Sequence, residues 1–201
     1  MSASLDLPLF PLRAVLFPGG SLPLKIFEQR YLDMAAASMR EQTPFGICLI
    51  AEGAEVAQPG GKPAVPHEIG TLARIAEWDM AQLGLLQVVV QGAERFRVLA
   101  RRNEPSGLVR AEVSFLEPEP IRKIPHELAR LVPLLRAVLE DLGERAPPQP
   151  HSFHDAAWVG YRWCEVLPIP LLARQKLLEL DDSISRLEIV DRFLVQKGLV
   201  K

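Results

Sequence analysis

Apolar and polar positions alternate with a period near two in the first part of this chain and near 3.6 in the last, and the change falls close to Leu116. From Leu5 to Tyr31, LDLPLFPLRAVLFPGGSLPLKIFEQRY, short apolar runs are cut by Pro8, Pro11, Pro18 and Pro23, with Gly19-Gly20 in the middle. Proline lacks an amide donor and clashes one turn back, so no continuous helix accommodates this stretch and it must be extended. Leu5, Leu7 and Leu9 alternate with Asp6, Pro8 and Phe10. Phe17-Pro18-Gly19-Gly20 reads as a turn, and Ser21 to Phe27 as a second strand. Prolines inside strands favour edges, first positions and bulges, which places both strands at the rim of a barrel.

The pattern then predicts a helix over Glu28 to Gln42, with Glu28 in its first turn, covering one mouth of that barrel. Phe45 to Ala51, bounded by Pro44 and Gly53, is a buried strand, and a loop rich in Pro, Gly and Lys follows to Pro66. Strands are expected at Gly70–Trp78 and Leu85–Gln91, with Gly92 breaking the chain before another at Arg95–Ala100. Val109, Ala111, Val113 and Phe115 alternate with polar residues as a half-buried antiparallel strand does. Glu117-Pro118-Glu119-Pro120 reads as a stiff linker. After it, Leu128, Leu131, Leu135, Val138, Leu139 and Leu142 form a helical stripe that Pro133 is expected to bend. Further helices are predicted over Phe153–Leu167, from Pro170, and from Asp182 or Ser183 to Gly198. Strands first and helices afterwards is the signature of an α+β protein, divided here at 1–117 and 118–201 with about four helices in the second part.

At 201 residues the chain is long enough to bury roughly 70% of its unfolded surface, so a core forms without staples or a cofactor. A net charge of −2 supplies no overall basic field for nucleic-acid phosphates. Cys48 and Cys164 stand in apolar patterns with no CxxC spacing, as buried thiols of a reducing compartment do. The N-terminus lacks a charged start followed by an apolar run, and no segment approaches the length of a membrane span, so a soluble, cytoplasmic protein is expected.

Candidate chemistry is sparse. Gly60-Gly61-Lys62-Pro63 lacks the upstream glycine of a phosphate-binding loop and has Pro where Ser or Thr would reach a metal; a surface loop explains it. No GxSxG elbow occurs. His151 and His154 with Asp155 could supply metal ligands, but no cysteine is near in sequence, and helix-capping at the start of a helix accounts for them. Glu28 capping its helix and Arg30 pairing with a carboxylate explain those two charges. Arg95, Arg97, Arg101 and Arg102 could form a basic strip, the basis of an alternative reading as an RNA-binding module, although alternating arginines usually mark a solvated strand face.

The motifs Leu7-Pro8-Leu9-Phe10-Pro11-Leu12, Leu16-Phe17-Pro18-Gly19 and Leu22-Pro23-Leu24-Lys25-Ile26-Phe27-Glu28-Gln29-Arg30-Tyr31 closely resemble the opening of the Lon protease N-terminal, substrate-binding domain family. Gly70-Thr71-Leu72-Ala73-Arg74-Ile75 and Gly92-Ala93-Glu94-Arg95-Phe96-Arg97-Val98 match two further family motifs, and Leu171 to Leu199 looks like its helical end. The chain departs from the family where many members carry Asp-Gly before Leu85 and this one has Leu83-Gly84. The resemblance implies a PUA-like β pseudo-barrel followed by a helical bundle, without the ATPase loop or Ser-Lys dyad of the full protease. It further implies a non-catalytic module that needs no cofactor or metal and whose partners are unfolded or tagged polypeptides. The expected docking surface is apolar, lies between barrel and helices, and uses Phe17, Leu24, Phe27, Tyr31 and Phe96, with backbone pairing along an exposed strand edge.

Overall fold

The computed structural model of the protein describes residues 4–56, 63–147 and 149–200, with all their side chains but that of residue 81. Two compact units divide the chain, Met1–Glu117 and Pro118–Lys201.

The first unit contains β1 (Leu5–Leu12), β2 (Ser21–Ile26), α1 (Gln29–Glu41), β3 (Phe45–Glu52), the short β4 (Val65–Pro66), β5 (Ile69–Gln82), β6 (Leu85–Asn103) and β7 (Val109–Phe115). Strands pair in the order β1-β7-β6-β5-β3, and a parallel β1–β3 pairing closes the ring, leaving β2 on β6 and β4 on β3. β1 is therefore flanked on both sides, not set at a rim as its prolines suggest. The register resolves the difference. Pro8 lies in the half of β1 that pairs only with β7, opposite Arg110, whereas Pro11 lies in the half that pairs only with β3, opposite Cys48. Each proline therefore has one side with no ladder to interrupt. β2 has a single neighbour in the sheet, as a proline-bearing strand should.

Gly92 does not end a strand. β6 runs through it, and the register of β5 against β6 shifts between Thr71 and Ala73 where the ribbon bends. The turn after Phe17 docks there: Gly19 N donates to Gly92 O and Gly92 N to Gly20 O, each at 2.8 Å. A Cβ at Gly92 would stand 2.2 Å from the Phe17 carbonyl oxygen, so the glycine is required by approach of another backbone. Two apolar clusters fill the unit. One joins Phe10, Leu12, Leu16, Ile26, Phe45 and Val88 to Tyr31, Met34 and Ala35 of α1; the other packs Leu7, Leu9, Cys48, Leu72 and Val113 around Phe96.

The second unit holds α2 (Leu131–Leu142), α3 (Ala156–Val166), α4 (Leu171–Glu179) and α5 (Ser183–Gln196). Leu128 sits in a separate 3₁₀ turn, and Pro133 falls in the first turn of α2, where its missing donor costs nothing, so it does not act as the expected mid-helix bend. Leu131, Leu135, Leu139, Val159, Trp163, Leu187, Val190 and Leu194 are buried, and Trp163 Nε1 donates to Leu131 O at 3.2 Å. Asp155 caps α3 by accepting from Ala157 N, and Asp182 caps α5 by accepting from Ser185 N. Asp155→Ala should destabilise the helical unit by about 1 kcal/mol in a denaturant titration; no change in the midpoint would refute the capping role.

Glu119, in the segment read as a linker, belongs structurally to the helical unit. Arg186 of α5 is fully buried and donates through both terminal nitrogens to the Glu119 carboxylate, at 2.9 and 2.6 Å. The Tyr161 hydroxyl also donates to Glu119, while Arg186 donates to the Leu177 and Leu180 carbonyls and covers the Tyr161 ring.

Candidate functional site

Of the five residues expected to line a docking surface, the structure brings three into the core. Phe17 and Phe96 have no exposed surface, and Tyr31 is buried, stacked on Phe10 at 4.1 Å between ring centres. Desolvation pushes the Tyr31 hydroxyl up to about 12 against the opposing Arg30 charge, so it stays protonated. None of the three can touch a partner without unfolding. The cause is that the turn bearing Phe17 packs inward on Gly92, while Gly46 and Gly70 leave the space that the Phe96 ring fills. Leu24 is half-buried beside the core, and Phe27 is 55% exposed.

Four exposed large apolar groups, Phe27, Trp78, Met80 and Leu83, lie toward the far end of the β5–β6 hairpin, while Leu5, Val56, Leu99 and Phe115 are exposed elsewhere in the unit. Across the β2-β6-β5 ribbon, Leu24 lies opposite Val88 and Val88 opposite Trp78. Val88 is buried, whereas Trp78 is 62% exposed because it overhangs the core on the outer strand. Met80 and Phe27 are exposed toward the same end, and Leu83 at the turn is 96% exposed. Leu83-Gly84 closes the hairpin between paired Gln82 and Leu85, with Gly84 at φ +81° supplying the left-handed conformation that the turn needs. The departure from Asp-Gly thus keeps the glycine where the backbone demands it and places a leucine in water. The sequence carries a signal for this patch that periodicity reading passes over: Glu77-Trp78-Asp79-Met80 alternates acids with large apolar groups just before a two-residue turn, where a strand outruns its core.

Two hollows flank Trp78. A cleft of about 390 Å³ lies between it and the C-terminal end of α1, lined by Met39, Thr43 and Ile75 among others. A shallow groove of about 450 Å³ includes Pro23, Lys25, Glu77, Asp79, Gln87 and Val89. A third cleft of about 470 Å³ joins α1 to β1 and the β6–β7 turn, but its two arginines are neutralised: Arg30 pairs with Glu28 at 2.9 Å and Arg110 with Asp6 at 2.8 Å. Glu28 therefore makes no side-chain cap of α1; it accepts from Arg30, whose other terminal nitrogen donates to Gly107 O.

The basic strip is mostly answered by other groups: Arg95 is buried, Arg102 donates twice to Asp6 and Arg97 faces Glu68 at 3.9 Å, while Arg101 is exposed. The Arg102 hydrogen bond, with Arg110 adding to it, holds the Asp6 carboxyl below its ordinary value, so Asp6 opposes these guanidiniums at any physiological pH. This charge pairing weighs against the RNA-binding alternative. Both thiols are buried and pushed by desolvation up to about 12, which leaves Cys48 and Cys164 as inert core groups. His151 is packed, not capping: its Nε2 lies 2.9 Å from Pro147 O, and its ring meets Phe153 and Trp158. Among the described residues no group of three or more His, Cys, Asp or Glu is placed to hold a metal ion, and no helix is long and apolar enough to cross a membrane. Gly60, Gly61 and Lys62 lie outside the described residues.

Comparison with known proteins places these features in context. The family model described as the ATP-dependent protease La (LON) substrate-binding domain matches residues 6–196. The Lon protease of Anaeromyxobacter dehalogenans is 27% identical over 95% of this chain, and Lon protease 2 of Myxococcus xanthus is 29% identical over 95%. The chain spans 23% and 24% of those two relatives. A crystal structure of a Lon N-terminal domain protein from Xanthomonas campestris matches with 36% identity and a TM-score of 0.74, covering 92% of this chain and 96% of that one. The N-terminal domain of a Mycobacterium avium complex Lon protease shares the fold at 17% identity and a TM-score of 0.62, covering 92% and 96%.

Proposed function

The chain belongs to the ATP-dependent protease La (LON) substrate-binding domain family, and from that premise we propose that it is a non-catalytic module that binds unfolded or tagged polypeptides in the cytoplasm. The observation that carries this reading is the patch of Leu24, Phe27, Trp78, Met80 and Leu83 at one end of the sheet. Large exposed apolar groups gathered in one place on a folded domain mark a binding surface. The proposed surface retains half-buried Leu24 and exposed Phe27, and takes Trp78, Met80 and Leu83 in place of the three buried aromatics. The β unit bears the docking surface and the helical unit is a separate folding module.

Titration of the full chain with a permanently unfolded model protein, followed by fluorescence anisotropy, tests the proposal. Saturable binding in the micromolar range is expected. Trp78→Ala should weaken it about tenfold or more, as loss of an aromatic anchor does, while leaving stability within about 0.5 kcal/mol because the side chain is largely in water. Absence of saturable binding at high micromolar concentration overturns the proposal.

A further inference from the structure

β5 is longer than its partner on one side. β3 pairs with it only from Thr71 to Ala73, ending at Phe45, because Pro44 carries the chain out of the sheet toward α1. Beyond that point β5 continues to Gln82, paired with β6 alone, and Arg74 and residues 76–80 are all exposed. The vacated lane is a strand edge, whose row of backbone donors and acceptors is matched best by another extended backbone. The two faces beside this edge differ. Trp78 stands over the cleft formed with Met39 and Thr43, while its neighbours Glu77 and Asp79, pointing to the opposite face, lie across from Val89 and Gln87.

We propose, resting on the polypeptide-binding reading above, that the client is captured as an added strand along β5 from Arg74 to Met80, and that the site selects segments in which apolar and basic residues alternate. The apolar side chains of such a segment pack on Trp78, Met39 and Ile75 at the cleft, whose other lining residues include the polar Ser38, Gln42, Thr43 and Arg74. The basic ones meet Glu77 and Asp79, beyond the Arg74 end of the edge. A segment with acids in those places sets like charges against each other. The register shift of β5 between Ile75 and Glu77 bends the edge and restricts pairing to a short piece of client, which keeps the same edge from templating sheet growth.

The test uses the full chain and four synthetic peptides of about eight residues, the reach of this edge: alternating valine and lysine, alternating valine and glutamate, and the lysine peptide N-methylated at every second backbone nitrogen in each of the two registers. The lysine peptide should bind roughly tenfold more tightly than the glutamate peptide, the sum expected of two exposed charge pairs. The Glu77→Lys, Asp79→Lys double variant should reverse that order. Methylation should weaken binding by about tenfold or more in one register by removing edge hydrogen bonds. Equal binding of the lysine and glutamate peptides, or methylated peptides in both registers that bind like their parent, overturns strand capture. Should the unfolded protein still bind to a Trp78-dependent site in that case, the polypeptide-binding reading stands and only this mode of capture fails.

Discussion

Glu119→Ala is expected to destabilise the helical unit by about 3–5 kcal/mol, the cost of leaving a buried charge without its partner. Arg186 has no exposed surface, and its guanidinium is matched by the Glu119 carboxylate on one side and by the Leu177 and Leu180 carbonyls on the other. Removing the carboxylate leaves a full positive charge among Tyr161, Cys164 and the carbonyl ends of α4, at a guanidinium that the fold shields from bulk solvent. Urea titration followed by Trp158 and Trp163 fluorescence measures the loss. Adding Arg186→Met to the variant should return part of it, since two matched deletions avoid the unpaired charge, though the two carbonyls remain unsatisfied. A single variant as stable as the parent would show that Glu119 is only an extended tether.

Gly92→Ala is the second large effect, expected at about 3 kcal/mol or more, at the upper end of overpacking costs. The intruding methyl meets the Phe17 backbone oxygen at 2.2 Å, and backbone cannot swing aside as a side chain can. Relief requires the Phe17–Gly20 turn to lift from β6, breaking the two hydrogen bonds that hold it and drawing the buried Phe17 ring with it. The predicted signature is therefore loss of stability in the β unit together with faster amide exchange at Gly19 and Gly92. Unchanged exchange at those two amides would place the cost elsewhere.

Much of the architecture is legible in the residue pattern. The switch of period near Leu116, the start of the last helix at Asp182 and the proline-punctuated opening each follow from local chemistry that tertiary contacts do not override, whereas the helix expected from Phe153 begins only after its Asp155 cap. What local pattern cannot supply is the partner of each strand. β1 looks like an edge because it contains prolines, and only the register shows that Pro8 and Pro11 each keep one side unpaired inside the ring. Gly92 looks like a break because a glycine in a strand and a glycine ending one read alike; the difference is Phe17, 75 positions away in sequence.

The docking surface shows the same division. Phe17, Tyr31 and Phe96 are aromatic in apolar surroundings, a description that fits a core and a sticky face equally, and the fold puts all three inside. Trp78 and Leu83 lie outside because β5 and β6 run past the last residue that α1 can cover, a length mismatch between elements that becomes visible once both are built. Charge behaves likewise. Arg95, Arg97 and Arg102 line up in sequence, while Asp6 and Glu68, which answer two of them, come from other strands or loops.

The surface assignment is the claim on which the functional account depends, and hydrogen exchange of the full chain with and without a saturating unfolded protein tests it most directly. The account predicts slowed exchange concentrated in residues 74–80 of β5 and around Leu83-Gly84, with the Arg97–Arg102 stretch of β6 unchanged. Protection confined to that arginine-bearing stretch, or to any region that leaves β5 unprotected, would contradict it.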